Sequence, residues 1–297
     1  GAKFLESVDD SIEKIIVNDN LKQEYLALAN HVKNIYQAIL PDPQANEFVR
    51  EKTIFTVLAD KIRSFQDQTN ISDVEAEIKE LLDESITSVE YVIRESQPSD
   101  LIDISQLDIK AIETAQNNFN HSNYQRQELE KLKATINRQM KPMIRRNKRR
   151  VNYQERFQQM IDEYNANSHN TAQLFQDLLN LAQELSAENQ RAISKGLTEE
   201  ELAIFDLLIN PDITEEEEQQ VKGVAKQLLI DLQEKLSFEW NQKQDTRDRV
   251  KELIYETLLC LPERYSDDLY DQMCEVVYRH IYESYYGNGQ SVYNTAG

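Results

Sequence analysis

Glycine and proline are scarce in this chain, six of each among 297 residues. Together they make up about 4%, against roughly 12% in average proteins. A β-sandwich or barrel needs turn glycines at its corners, and dinucleotide and P-loop folds need clustered glycines where backbone meets phosphate. The sequence has material for neither. Two cysteines, Cys260 and Cys274, cannot build a disulfide framework or a zinc quartet. Both fall at apolar positions of helical patterns, so inert core thiols in a reducing, cytoplasmic setting are expected. No apolar run approaches the ~18 residues of a membrane span, and no signal peptide is visible. Gly1-Ala2 without an initiator Met reads as a cloning remnant on a piece of a longer chain. Positive charge is also short: 33 Lys and Arg face 53 Asp and Glu, for a net charge of −20. Hydrophobic residues still reach 40%, enough for a core, so the chain is no disordered acidic tail. What remains is an all-α protein, an irregular array of about ten helices with no significant sheet.

Helical periodicity is easy to follow. Leu21, Tyr25, Leu28, Val32, Ile35 and Ile39 share one face, until Pro41 and Pro43 stop the helix. Phe48, Phe55, Leu58, Ile62 and Phe65 give a second helix. Ser72 to Glu75 reads as a capping box opening a third, with Val74, Ile78, Leu82, Ile86, Val89 and Ile93 inward. Gln97-Pro98-Ser99-Asp100 breaks the pattern and suggests a boundary between residues 1–97 and 98–297. Beyond it, 117–123 reads as a polar loop, and a long helix carries Leu129, Leu132, Ile136, Met140 and Met143, with Pro142 expected to kink or end it. Further stripes run through Tyr153 to Tyr164 and Leu174 to Leu185. Thr198-Glu-Glu-Glu201 and Thr214-Glu-Glu-Glu217 are two more capping boxes, Ser266 opens the last helix, and residues 287–297 read as a frayed tail.

Catalytic constellations are missing. There is no G-x-x-x-x-G-K-[ST], no H-E-x-x-H and no Glu-x-x-His, and the four histidines lie far apart. Pro41-Asp42 with Glu77-Ile-Lys79 imitates a nuclease pattern, but that chemistry needs alternate residues of a strand, and positions i and i+2 of a helix do not converge. No catalytic or metal-ligating residue is assigned. The glutamate runs 199–201 and 215–218 suit first helical turns, where the dipole favours negative charge.

Two clusters stand out. Between Lys131 and Gln154 there are nine positive charges and no acid, whereas the rest of the chain holds 24 basic and 53 acidic residues. Arg138, Lys141, Arg145, Arg146, Lys148, Arg149 and Arg150 are therefore candidate contacts to a nucleic-acid backbone. The plainer reading pairs them with the protein's own carboxylates or an acidic partner. Near the C-terminus, Tyr278, Tyr282, Tyr285 and Tyr286 are candidate partner contacts, since tyrosine buries area while keeping a hydrogen bond.

Particular words of the sequence add more. Asn34-Ile-Tyr-Gln-Ala-Ile-Leu-Pro-Asp-Pro43, Leu81-Leu-Asp-Glu-Ser-Ile86, Arg146-Asn-Lys-Arg-Arg150 with Phe157 and Glu163-Tyr-Asn165, and Leu197 to Leu208 stand together with Val221 to Leu229, Trp240-x-x-Lys243-x-x-x-Arg247 and His280-Ile-Tyr-Glu-Ser-Tyr-Tyr286. This combination resembles the C-terminal region of the R (restriction, motor) subunit of type I restriction enzymes. The resemblance implies a parent subunit with a nuclease domain and two RecA-like motor lobes, an ATP-dependent site-specific deoxyribonuclease that pulls DNA. Because this chain lacks their motifs, it implies a non-catalytic piece, with ATP and Mg used elsewhere in the parent. It also implies docking onto the modification and specificity subunits. A DNA-backbone-binding helical module is the competing reading, and membranes have no part in either.

Overall fold

The computed structural model describes residues 2–40, 42–65, 109–167, 170–210, 212–236, 240–287 and 290–293. Among them are eleven α-helices: α1 (Ala2–Ile15), α2 (Asp19–Ile39), α3 (Val49–Ser64), α4 (Ile109–His121), α5 (Gln125–Arg146), α6 (Val151–Asn167), α7 (Thr171–Lys195), α8 (Glu199–Leu208), α9 (Glu215–Lys235), α10 (Gln244–Leu258) and α11 (Asp267–Ser284). Short 3-10 turns cover Pro43–Phe48 and Lys148–Arg150, and β1 (Tyr285–Gly287) pairs antiparallel with β2 (Gln290–Ser291). The fold is all-α. The chain divides into two compact units, Gly1–Gln139 with Glu155–Leu185, and Met140–Gln154 with Ser186–Gly297. The expected boundary at Gln97–Asp100, the helix opened by Ser72 and the Glu77–Lys79 half of the nuclease-like pattern lie outside the described residues. Asp42 is described. Its side chain accepts from the Gln44 N–H at 2.9 Å and caps the 3-10 turn.

In the first unit, α1 supplies a stripe that the periodicity reading passed over. Val8, Ile12 and Ile16 pack on Leu58, Ile62 and Phe65 at the end of α3. α4 runs to His121, so the stretch 117–123 expected to be a loop is helical over its first five residues and leaves the helix only after His121. The reason is tertiary: Phe119 is buried and stacks on Phe175 with ring centroids 3.9 Å apart, which outweighs the weak helix propensity of the neighbouring asparagines. Pro142 does not end α5, which continues to Arg146.

The apolar stripe of α2 behaves differently from a core stripe. Leu28 is 59% exposed and Ile35 54%, and Leu21, Val32, Ile39 and Leu40 are exposed with them. Phe48, Val49, Ile54 and Phe55 at the start of α3 are exposed too. Monomeric proteins seldom show so many large apolar side chains within one short stretch.

Beneath α2 lies a cluster of alternating charges. Buried Lys22 binds Glu130 at 2.7 Å and also Asp19; Lys133 binds Asp19 at 2.9 Å and Glu130 at 2.7 Å. Asn165 completes it, accepting from the Asp19 N–H at 3.0 Å and donating to the Asp19 carboxylate at 3.2 Å. Burial alone would raise the Asp19 pKa, but the Lys133 and Lys22 ammonium groups outweigh it and hold that pKa at about 2.

In the second unit, α8 to α11 enclose one core, with Phe205, Trp240, Ile254, Cys274 and Ile281 fully buried. The capping boxes form as read. Thr198 and Glu201 exchange side chain-to-backbone bonds at the start of α8, and Thr214 and Glu217 do so at α9. Ser266 caps α11. Of the two cysteines, Cys274 is the core thiol expected, with its pKa pushed up to about 11 by burial, but Cys260 lies exposed at the turn after α10. α7 ends at Gly196 with φ 66°, where the Leu197 N–H reaches back to the Ala192 carbonyl at 2.9 Å. A Cβ there would meet no atom within 4 Å, so Gly196→Ala should cost only the left-handed backbone penalty. The expected loss is about 1 kcal/mol in urea unfolding, and a loss above about 3 kcal/mol would contradict this account.

Candidate interaction surface at the basic turn

The basic stretch is split by burial. Lys131 pairs with Glu128 at 2.7 Å, and Lys133 belongs to the buried cluster of the first unit. Arg138 and Lys141 are exposed on α5. α5 then gives way to a turn whose hinge is Asn147, fully buried. Its side-chain oxygen accepts from the Arg149 N–H at 3.1 Å, and its amide donates to Asp206 at 2.6 Å. Arg150 points inward at 2% exposure, with Nε on Glu188 at 2.8 Å and Nη1 on Glu199 at 2.8 Å. Burial opposes its charge, but Glu199 and Glu188 more than compensate and raise its pKa. Arg191 closes the network by binding both Glu188 and Asp206. Of the seven basic candidates, Arg150 is therefore committed to internal pairing. The turn leaves Arg145, Lys148 and Arg149 exposed and Arg146 half-buried.

The four tyrosines divide in the same way. Tyr278 is half-buried, with the Lys251 ammonium 4.6 Å from its ring centroid. Tyr285 is half-buried, its carbonyl accepts from Trp240 Nε1 at 3.2 Å, and burial pushes its hydroxyl pKa far above the usual range. Tyr282 and Tyr286 remain exposed, each at 44%. Tyr282 sets its ring edge-on to Trp240, 6.0 Å between centroids.

The structure joins the two clusters, which lie about 140 residues apart in sequence. Arg145 Nη2 donates to the Tyr286 hydroxyl at 2.8 Å, with its guanidinium 6.0 Å from the ring centroid. Lys148 lies 3.4 Å from Glu283. Within the stretch expected to fray, residues 290–293 are described and are tied down. Tyr293 donates its hydroxyl proton to the Arg146 carbonyl at 2.8 Å, and its oxygen lies 2.9 Å from His280 Nε2. That arrangement requires a proton on Nε2, leaving Nδ1 to accept from Ser284 at 3.4 Å. Burial holds the His280 pKa down at about 4, so the ring is neutral and serves as a link in this chain. Sequence reasoning missed Asn147, Asp206, Glu188 and Tyr293. The only local signal was the asparagine inside Arg146-Asn-Lys-Arg-Arg150, a residue type that favours caps and turns.

An open concavity of about 430 Å³ adjoins the turn, lined by Arg149, Arg191, Asp206, Asn210 and Glu218 with Ile209 and Ile213. Its Arg191 and Asp206 already bind each other, and Glu218 binds Lys195 at 2.8 Å. Among the described residues no group of three or more His, Cys, Asp or Glu is placed to hold a metal ion, and no helix is long and apolar enough to cross a membrane.

The family model for the C-terminal part of HindI-like endonuclease subunits of type I restriction enzymes matches residues 1–285. The chain belongs to this family. A Methanocaldococcus jannaschii protein whose name describes a type I restriction enzyme MjaIXP endonuclease subunit is 25% identical over 279 residues. The match covers 87% of this chain and 26% of that relative, so the chain spans about a quarter of the relative's length. No solved structure matches. Asn147 and Arg150 bind the Arg146–Arg150 turn to α7 and α8, while Lys148, Arg149 and the preceding Arg145 face outward.

Proposed function

We propose that this chain is a non-catalytic part of a type I restriction endonuclease subunit, which docks the motor and nuclease of the whole cytoplasmic subunit onto its modification–specificity core. Family membership supports a place in a multi-subunit enzyme. The observation that carries docking is the exposed apolar face of α2 and early α3, with Leu28, Ile35 and Phe55 outward. ATP and Mg²⁺ are assigned to the rest of the subunit. The residues here do not fit them, since the sequence has no phosphate-cradling glycine loop and the described residues hold no acidic metal cluster.

Size-exclusion chromatography of the chain mixed with its host's modification–specificity complex tests the reading. Wild-type protein should co-elute, and Leu28→Asp with Ile35→Asp should weaken binding at least tenfold while leaving the thermal melt unchanged. Undiminished co-elution of the variant, or its unfolding, would overturn the assignment of this face. Tyr282→Ala with Tyr286→Ala tests the aromatic end as the contact. On the present reading it leaves docking intact, because those rings belong with the basic turn. Nucleic-acid backbone binding is a second reading, favoured by the juxtaposition of Arg145 with Tyr286.

A further inference from the structure

We infer that the basic turn and the C-terminal end of α11 form one composite surface that grips the phosphate backbone of a nucleic acid, with Tyr286 as a hydrogen-bond donor positioned by Arg145. This deepens the second reading above. It replaces a linear stripe with a surface built from two distant segments, and it excludes part of that stripe.

Three observations carry it. First, burial selects the cations. Arg150 and Lys133 are consumed by internal carboxylates and Lys131 by Glu128, whereas Arg145, Lys148 and Arg149 project from a turn that Asn147 fixes from below. Cations held outward by a rigid base lose less conformational freedom on binding than cations on a free stripe.

Second, Tyr286 is arranged as a donor. Its oxygen already accepts from Arg145 Nη2 at 2.8 Å, so its own proton is available, and at 44% exposure the hydroxyl can offer it outward. A tyrosine hydroxyl backed by a guanidinium is a ready partner for a phosphate oxygen. An acidic protein partner would accept from the same groups, and an absence of duplex binding at low salt would leave that partner as the reading.

Third, the neighbouring charges favour a polyanion. Arg279 is exposed one helical turn before Glu283. Asp206, Glu188 and Glu199 beside the turn are already held by Asn147, Arg191 and Arg150. Glu283 pairs with the outward Lys148 at 3.4 Å, and both side chains are about half exposed, so that pair is weak and easily exchanged. Elsewhere the strongly acidic chain repels nucleic acid, which confines binding to this surface.

The experiment is fluorescence anisotropy of the whole chain with a labelled 25-base-pair duplex and with one of its strands, across a salt series. Wild-type protein should bind, with log affinity falling against log salt by about 0.9 for each phosphate neutralised on duplex and about 0.7 on a single strand. Arg145→Ala with Arg149→Ala should weaken binding at least tenfold and flatten the slope by about 2 on duplex. Tyr286→Phe, which keeps the ring, should weaken binding about threefold without changing the slope, because no charge is lost. Equal effects of Tyr286→Phe and Tyr286→Ala on duplex would mark the hydroxyl contact, whereas a single-strand preference that Tyr286→Ala removes and Tyr286→Phe keeps would mark base stacking on the ring and overturn the donor role. If wild-type protein binds, but only Arg138→Ala with Lys141→Ala weakens it, the composite surface is wrong and the linear stripe survives. Absence of binding by folded wild-type protein at low salt overturns both.

Discussion

Replacing Arg150 with alanine should cost the second unit about 4 kcal/mol, a large share of the stability of a domain this size. The guanidinium is 2% exposed and satisfies two carboxylates from different elements, Glu188 on α7 and Glu199 at the start of α8. Its removal leaves an arginine-sized void beside Glu188, which is itself only 11% exposed. Glu188 retains Arg191, and Glu199 can turn toward water, so the loss stays within the 3–5 kcal/mol typical of breaking a buried pair. Lysine should recover only part of it. An ammonium group is a point charge and cannot direct separate N–H bonds to Glu188 and Glu199. Urea unfolding measures this as a fall in midpoint at unchanged slope. A loss below about 1 kcal/mol would mean that the pair is effectively hydrated. Any nucleic-acid binding lost in Arg150→Ala would then follow from a displaced turn, without implying that Arg150 touches phosphate.

The second large effect belongs to the first unit and depends on pH. The Asp19 pKa is lowered from 3.8 to about 2 by Lys133 and Lys22, against the opposing effect of burial. A group whose folded pKa is depressed contributes stability above its unfolded pKa and loses it as pH falls through the folded value. Asp19 should therefore contribute about 2 kcal/mol at neutral pH, a contribution that fades between about pH 5 and pH 2. The Lys22 pKa is raised: burial works against its charge, but Glu130 and Asp19 outweigh it. Its contribution is complete below 10.5 and is lost only as pH rises past the folded value. Asp19→Asn keeps the shape and removes the charge, leaving two buried ammonium groups to share Glu130. The variant should lose about 3 kcal/mol at pH 7 and show a flatter acid limb than wild type between pH 5 and pH 2. Parallel acid limbs for the two proteins would refute the role given to Asp19.

Much of the helical architecture was legible because its signals are local. The Thr198/Glu201 and Thr214/Glu217 boxes exchange bonds across three residues, so their sequence spells their geometry. The stripe from Leu174 to Leu185 on α7 became core as its spacing implied. Where the reading failed, a distant partner decided. α4 extends into a polar run because Phe119 finds Phe175, 56 positions away, and Tyr293 of the tail is fixed by the Arg146 carbonyl. The α2 stripe shows the opposite limit. Its periodicity correctly marks a helix face, but spacing carries no information on what covers that face, and here Leu28 and Ile35 remain exposed.

The same division holds for the candidate surface. Composition located the positive charge and the tyrosines, because counting needs no geometry. It treated seven basic residues as equivalent and the aromatic end as a separate feature. By itself the sequence determined the helical class, the starts of α8, α9 and α11 and the lack of a recognisable catalytic motif, all of which rest on composition or on bonds spanning four residues or fewer. Only the tertiary structure decided which charges are available. Arg150 and Arg149 are adjacent in the chain, but one lies among carboxylates from α7 and α8 while the other faces water, and the energy of a charge is set by what surrounds it in space.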